Sequence, residues 1–228
     1  MAVNFLKKGS EAKKALAQEE AKAEEKKKGT FYRFYLPAGK ESQVTFLDGN
    51  LDEDGMLDIP MFYEHNLFQN GNWRNWYVCT ADKEPCPICE GGDNPYLAGA
   101  MTVIDHSEYE SKGKTYKNQV RLFIAKRNTI RQLQKIATKR GGLAGCTFDV
   151  ARVGDKAPAV GDMYEFVEKS PILAIKKKFK VEGPINYAEV LHYRTADELR
   201  ELGLGLGKPV GYKSEQSDKE MPNYEDKL

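Results

Sequence analysis

Four residues constrain this chain most tightly: His65, Cys79, Cys86 and Cys89, in the spacing His-x13-Cys-x6-Cys-x2-Cys. Cys86-Pro87-Ile88-Cys89 is a CxxC knuckle, short enough for two thiolates to grip one ion. Cys79 and His65 complete a tetrahedral Cys3His set, and four protein ligands leave no open position, which is the structural arrangement for Zn2+. Such an ion closes the loop between the strand near His65 and the Gly91-Gly92 turn, and replaces core in a region short of apolar residues. His106 is the alternative fourth ligand. Cys146, after Gly145 in a strand-like run, reads as a buried thiol. A redox CxxC pair belongs in a βαβ context, whereas this one sits among short β segments. The expected cofactor is therefore one structural zinc.

The same residues bear on enzyme chemistry. Pro85-Cys86-Pro87-Ile88-Cys89 matches the PCxxC half of zinc deaminases, whose other half is H-x-E with a proton-moving Glu. Here the run is His65-Asn66-Leu67, and Glu64 precedes the His instead. No G-x-S-x-G, P-loop or dinucleotide fingerprint occurs. The expectation is a protein that is not an enzyme.

The length of 228 residues fits one domain with tails. No stretch approaches about 18 consecutive apolar residues, so no membrane span is expected. The first thirty residues carry no apolar signal region, and the expected location is cytoplasmic rather than secreted. The net charge of +1 conceals segregation. Glu41 to Trp73 holds seven acidic residues and no Lys or Arg, while Ser111 to Arg140 holds ten Lys/Arg and no acid. Lys176-Lys177-Lys178-Phe179-Lys180 forms a second basic knot. This local pattern, unlike the net charge, points to a polyanionic partner.

Residues 1–29 form an Ala/Lys/Glu/Gln-rich block that favours helix, with Ser10 as a start and Gly29 as a stop. Leu16 is nearly its only large apolar residue, so the block reads as an exposed helical or flexible arm. From Thr30 onward short strands are expected at Phe31–Leu36, Gln43–Leu47, Met61–Tyr63, Ala100–Ile104, Tyr116–Ala125, Thr147–Val153 and Met163–Val167. Asn70-Gly71 marks a tight turn. One helix, capped by Asn128, carries Ile130, Leu133, Ile136 and Ala137 on one face and stops at Gly141-Gly142. Many short strands with one helix suggest a small β-barrel with elaborations, mainly β, over residues 30–202, with the zinc subdomain at about 60–95. A Gly-rich linker and a mildly acidic tail fill 203–228.

In Tyr116 to Ile124, alternation sends Val120, Leu122 and Ile124 into a core. Lys117, Gln119, Arg121 and Phe123 face the other way. Cations with an aromatic ring on one sheet face are what a single strand of nucleic acid needs, with stacking contributing roughly 1–3 kcal/mol per base. Lys112, Lys114, Lys126 and Arg127 extend that stripe, Arg33 and Tyr35 alternate similarly, and Trp73, Arg74 and Trp76 lie beside the zinc loop. Lys176, Lys177 and Lys178 are further phosphate contacts. Phe46, Phe62, Phe148 and Phe166 read as core.

The order Tyr63-Glu64-His65, Asn70-Gly71-Asn72-Trp73, Cys79 and Cys86-Pro87-Ile88-Cys89 resembles the zinc-containing single-stranded DNA-binding (helix-destabilising) proteins of T-even and related tailed bacteriophages. The resemblance covers about residues 30–95. It implies an OB-fold core with a zinc subdomain and a cleft for single-stranded DNA, in replication, recombination and repair. It also implies a basic N-terminal arm for cooperative self-assembly, placed on Lys7, Lys8 and Ser10, and an acidic tail that recruits replication proteins. Bacteriophage origin, and with it an infected host cell, is implied by the resemblance alone. Two other readings fit the residues: an RNA-binding OB protein, and a zinc-stabilised interaction module whose basic patch meets an acidic protein.

Overall fold

A computed structural model of the chain describes residues 9–14, 16–17, 32–69, 71–111 and 113–205. It divides into two compact units, residues 1–79 with 95–193 and residues 80–94 with 194–228. Of the expected arm, residues 10–14 and 16–17 are helical. Lys7, Lys8, Gly29 and everything beyond Gly205, including the acidic tail, lie outside the described residues.

The first unit is built on a seven-stranded antiparallel sheet. Its strands are β1 (Lys40–Phe46), β2 (Met61–Gln69), β3 (Asn72–Val78), β4 (Tyr96–Asp105), β7 (Gln119–Lys126), β8 (Cys146–Arg152) and β9 (Met163–Lys169). A separate small hairpin joins β5 (Tyr109–Ser111) to β6 (Lys114–Tyr116). The order is β3-β2-β4-β1-β8-β9, and the sheet branches at β4. Tyr96–Gly99 pairs with β2 and Val103–Asp105 with β1, while β7 runs along Ala98–Asp105 as a third partner.

This architecture corrects the expected OB-fold barrel. No described sheet closes on itself: β3 and β9 end the path, and neither pairs with β7. Of the segment expected as a first strand, Phe31–Leu36, the described residues 32–36 make only an isolated parallel bridge, Arg33 to Leu122. The Leu36 N–H then turns to the Ala159 carbonyl, and Pro37, with no N–H to donate, follows at once. A barrel needs a continuous ladder at its seam, and this segment supplies none. The fold is a mixed arrangement of sheet and helices, so the resemblance to the bacteriophage DNA-binding family fails at the level of the fold.

The main core fills one side of the sheet. Phe46 meets Phe123 edge-on at 5.2 Å and Phe148 at 5.8 Å, and Phe34 stacks on Phe123 at 5.8 Å. Helix α2 (Arg127–Arg140) lays Ile130, Leu133 and Ala137 against this core. It begins at Arg127, one residue before the expected cap Asn128, because Lys126 is still extended as the last residue of β7. It stops where expected: Gly141 takes the left-handed conformation, φ 65°, and its N–H returns to the Ala137 carbonyl. Gly145, φ +85°, is fixed more severely, since a Cβ there would lie 2.2 Å from the Ser170 carbonyl oxygen.

Both faces of β7 are buried in mid-strand, which the alternation argument did not anticipate. Phe123 faces the main core, while Leu122 packs with Ala100 and Ile185 under a covering formed by residues 185–191 and the short helix α4 (Tyr187–Val190). Helix α3 (Ile172–Phe179) was hidden in the basic knot. Its Ile175 packs with Leu47 and Ile104 while Lys176, Lys177 and Lys178 occupy its last turn, where cations complement the helix dipole.

A polar clasp holds the 185–191 segment down. The Tyr187 hydroxyl donates to the Asp48 carboxylate and lies 2.7 Å from Thr102 Oγ1, Thr102 N–H donates to Asp48 Oδ1, and Ile185 N–H donates to Thr102 Oγ1. Burial pushes the Asp48 carboxyl up to about 6, against the hydrogen bonds from Tyr187 and Thr102 that pull it down. A carboxyl raised in the folded state binds its proton more tightly than in the unfolded chain, so this group's contribution to stability is greatest at low pH and declines as pH rises from about 4 to 6. The ionised carboxylate therefore costs about 3 kcal/mol at neutral pH. Asn at 48 still accepts from Thr102 N–H and carries no charge. Urea unfolding of Asp48→Asn against wild type should show the variant gaining relative stability across pH 4–6 and holding that gain above. A constant difference over that range rules the account out.

Candidate metal centre

The hairpin β2–β3 supplies the first two ligands. Glu64 pairs with Val78 and His65 with Tyr77, and beyond β3 the Cys79 N–H still reaches the Tyr63 carbonyl, which fixes Cys79 beside the strand carrying His65. A turn follows in which the N–H groups of Lys83 and Glu84 both return to Thr80 O. Cys86 then precedes a one-turn helix, α1 (Pro87–Glu90), with Pro at its start, where a missing N–H is harmless. The chain leaves the turn through Gly91 and Gly92, the latter at φ 92°.

These elements bring one donor atom from each of His65, Cys79, Cys86 and Cys89 within 4.8 Å of one another. His65, Cys79 and Cys86 are buried and Cys89 half-buried, and no disulfide competes. Burial pushes the Cys86 thiol up, but N–H groups of Cys89, Thr80 and Ile88 and the Thr80 hydroxyl outweigh it and hold it down at about 6. The knuckle backbone is thus arranged to favour a thiolate, the form that binds a metal. The cluster is one that can hold a metal ion, and its soft sulfur and imidazole donors fit a structural zinc. His106 is not part of it: its Nε2 lies 2.8 Å from Thr45 Oγ1 and its Nδ1 2.7 Å from Asn118 Oδ1.

Next to His65 lies a buried charge network that the sequence reading missed. Glu64, 1% exposed, takes two hydrogen bonds from the Arg33 guanidinium and a third, 2.6 Å, from the Tyr96 hydroxyl. Arg33 in turn lies over the Trp76 ring at 4.1 Å, and Lys126 lies over Tyr96 at 4.0 Å. Burial and the Glu64 charge push the Tyr96 hydroxyl up, so it stays protonated and donates.

The second unit packs the knuckle against helix α5 (Ala196–Glu201). Thr195 and Glu198 form a reciprocal capping box, which the Thr-x-x-Glu spacing signals in the sequence. Ala196 N–H donates to Glu84 Oε1, and Arg200 pairs with Glu90 at 3.6 Å. Gly205 sits so close to Pro87 that a Cβ would meet its carbonyl oxygen at 2.6 Å.

The residues expected to contact a nucleic acid do not assemble into one basic cleft. Arg33 is engaged by Glu64, Arg121 donates to the Tyr109 hydroxyl at 2.8 Å, and Lys117 pairs with Glu108 at 3.3 Å. Phe123 is fully buried between Phe34 and Phe46 and presents no ring face to a ligand. Trp73 is 46% exposed at the β2–β3 hairpin beside Phe68, Tyr35 is exposed near Arg152, and Trp76 is half-buried under Arg33. Lys114, Lys126 and Arg127 are exposed, as are Lys177 and Lys178 on α3, with Lys176 half-buried. The side chain of Arg74, and Lys112, lie outside the described residues; Ser10 begins the short helical stretch of the arm. With neither a closed barrel nor a basic cleft among the described residues, the expectation of single-stranded DNA binding, and with it of an OB-fold of bacteriophage type, is overturned.

No protein-family profile and no curated protein sequence matches the chain. No helix among the described residues is long and apolar enough to cross a membrane.

Proposed function

We propose that the chain is a zinc-stabilised, non-catalytic interaction module whose cationic and aromatic surface meets an acidic segment of a partner protein. The observation that carries this reading is the four-donor cluster of His65, Cys79, Cys86 and Cys89, three of them buried, with the donor atoms all within 4.8 Å. A filled Cys3His set leaves an ion no position for substrate or water, so the metal's work is to hold the fold.

A surface of the first unit supports the partner chemistry. Tyr109 and Tyr116 stack at 5.2 Å across the β5–β6 hairpin, and the Arg121 guanidinium lies 5.5 Å from the Tyr32 ring and 5.6 Å from Tyr109. Tyr32 and Tyr109 are exposed, and Lys114 stands at the hairpin. Stacked tyrosines offer area at low entropic cost and Arg121 with Lys114 supplies charge, a combination suited to carboxylates on an extended chain.

Fluorescence anisotropy of a labelled short polyglutamate peptide, titrated with the zinc-loaded chain, tests this. Binding should weaken with salt, and Lys114→Gln with Arg121→Gln should weaken it roughly tenfold. Equal affinity in that double variant counts against the proposed face. Tight binding of polynucleotides that grows with their length, with none to polyglutamate, would overturn the reading.

A further inference from the structure

A polar cleft of about 360 Å³ opens on the first unit, between β1, β8, the turn before β7 and helix α3. It shares no ligand with the metal cluster. Its floor holds two threonines on central strands, Thr45 at 2% and Thr147 at 6% exposure. Their hydroxyl oxygens lie 2.7 Å apart, and Thr45 Oγ1 also meets His106 Nε2 at 2.8 Å. On its other side the imidazole is held by Asn118, a non-glycine residue in the left-handed region at φ 55°. Asn118 Oδ1 can only accept, which puts a proton on Nδ1. The result is a continuous chain, Asn118–His106–Thr45–Thr147, that runs from a turn to the cleft floor.

The walls differ in character. Lys117 and Lys178 line the cleft on opposite elements, the turn before β7 and α3. Ala174, Ile175 and Phe179 make an apolar side, with the Phe179 ring 5.0 Å from His106. Glu168 on β9 is the acid among the lining residues. We propose that this cleft binds a small amphipathic anion, a single carboxylate or phosphate head on a compact apolar body. The volume lies in the range of small-molecule sites, and one apolar wall faces a lining that is otherwise polar. Lys178 takes the head, joined by Lys117 as it turns from Glu108, and the body lies along Phe179. Among the lining residues the two lysines outnumber the one carboxylate, Glu168. The assignment does not depend on the partner proposed above.

The test is side-chain NMR of His106 and Thr147 in the zinc-loaded full chain, titrated with four probes: benzoate, phenyl phosphate, acetate and inorganic phosphate. The first pair carries the apolar body and the second lacks it; within each pair the head group changes. Saturable shifts at His106 are expected with benzoate or phenyl phosphate, and whichever is tighter identifies the head. Acetate and inorganic phosphate should bind several-fold more weakly. Lys178→Gln, on an exposed side chain that leaves the fold intact, should weaken the tighter probe roughly tenfold. No shift at His106 with any probe, or equal affinity in Lys178→Gln, would overturn the proposal. Equal binding of probes with and without the apolar body also overturns it.

Discussion

Removing the metal from the zinc-loaded chain should unfold residues 80–94 and 194–205 while the main core of the first unit stays folded. The second unit buries few apolar side chains among its described residues: Pro87, Ile88, Ala196, Leu199 and Leu204, besides Cys86 itself. That is too little apolar area to offset the entropy of ordering the knuckle and α5. Polar contacts do not close the gap, since the Arg200–Glu90 and Arg200–Asp197 pairs are largely exposed. Structural zinc, by contrast, binds with about 10–16 kcal/mol in small metal-folded peptides. The first unit has the Phe46–Phe123–Phe148 core and needs no such help. Hydrogen-exchange mass spectrometry with and without chelator should therefore show protection lost in peptides spanning 80–94 and 194–205. Peptides from β7 and β8 should retain theirs. Cys86→Ser should reproduce the chelator result, and Cys146→Ala, a buried cysteine outside the cluster, should keep the metal. Unchanged exchange in 194–205 after verified metal loss would show that the apolar contacts suffice.

The metal cluster was legible because its information is local: a two-residue gap within the knuckle and a short loop back to Cys79 leave little freedom for where the thiols go. The helix at 127–140 was legible for the same reason, since Ile130, Leu133 and Ala137 repeat at helical spacing and Gly141 ends the pattern. Sheet closure was not legible, because it depends on which strands meet across long separations. The segment 32–36 has strand composition, but whether its N–H and C=O groups find a full partner is decided by β7 and residue 159, far along the chain. Phe123 failed for a related reason. Alternation sorts a strand into two faces, and it names the solvent face only when one side is open. Residues 185–191 cover the other side of β7, so apolar and polar positions alike are buried there. Charge runs misled in the same way: ten cations without an acid between 111 and 140 looked like one stripe, yet Lys117 is paired with Glu108 and Arg121 is bonded to Tyr109, both outside the run. The resemblance to the DNA-binding family rested on the knuckle and hairpin residues, which specify a metal loop and leave the rest of the architecture open.

Arg33→Met should destabilise the chain by about 3–5 kcal/mol, the cost of leaving one member of a buried ion pair alone. Glu64 is 1% exposed, and Arg33 provides two of the hydrogen bonds to its carboxylate. The Tyr96 hydroxyl satisfies one lone pair but supplies no positive charge. The pair also has a structural task. Glu64 on β2 sits opposite Tyr96 on β4 in the sheet register, and Arg33 belongs to the extended segment bridged to β7. The network therefore pins three stretches of chain to one another beside His65. If the loss in Arg33→Met comes from the orphaned charge, Glu64→Gln in the same background should recover most of it, because a neutral amide still accepts from Tyr96. If it comes from lost packing of the Arg33 stem on Trp76, the second change recovers nothing. Urea unfolding of the wild type, both single variants and the double variant, all zinc-loaded, separates these cases. A loss below about 1 kcal/mol in Arg33→Met would mean that the carboxylate reaches water or a neighbouring cation, and that the buried-pair account is wrong.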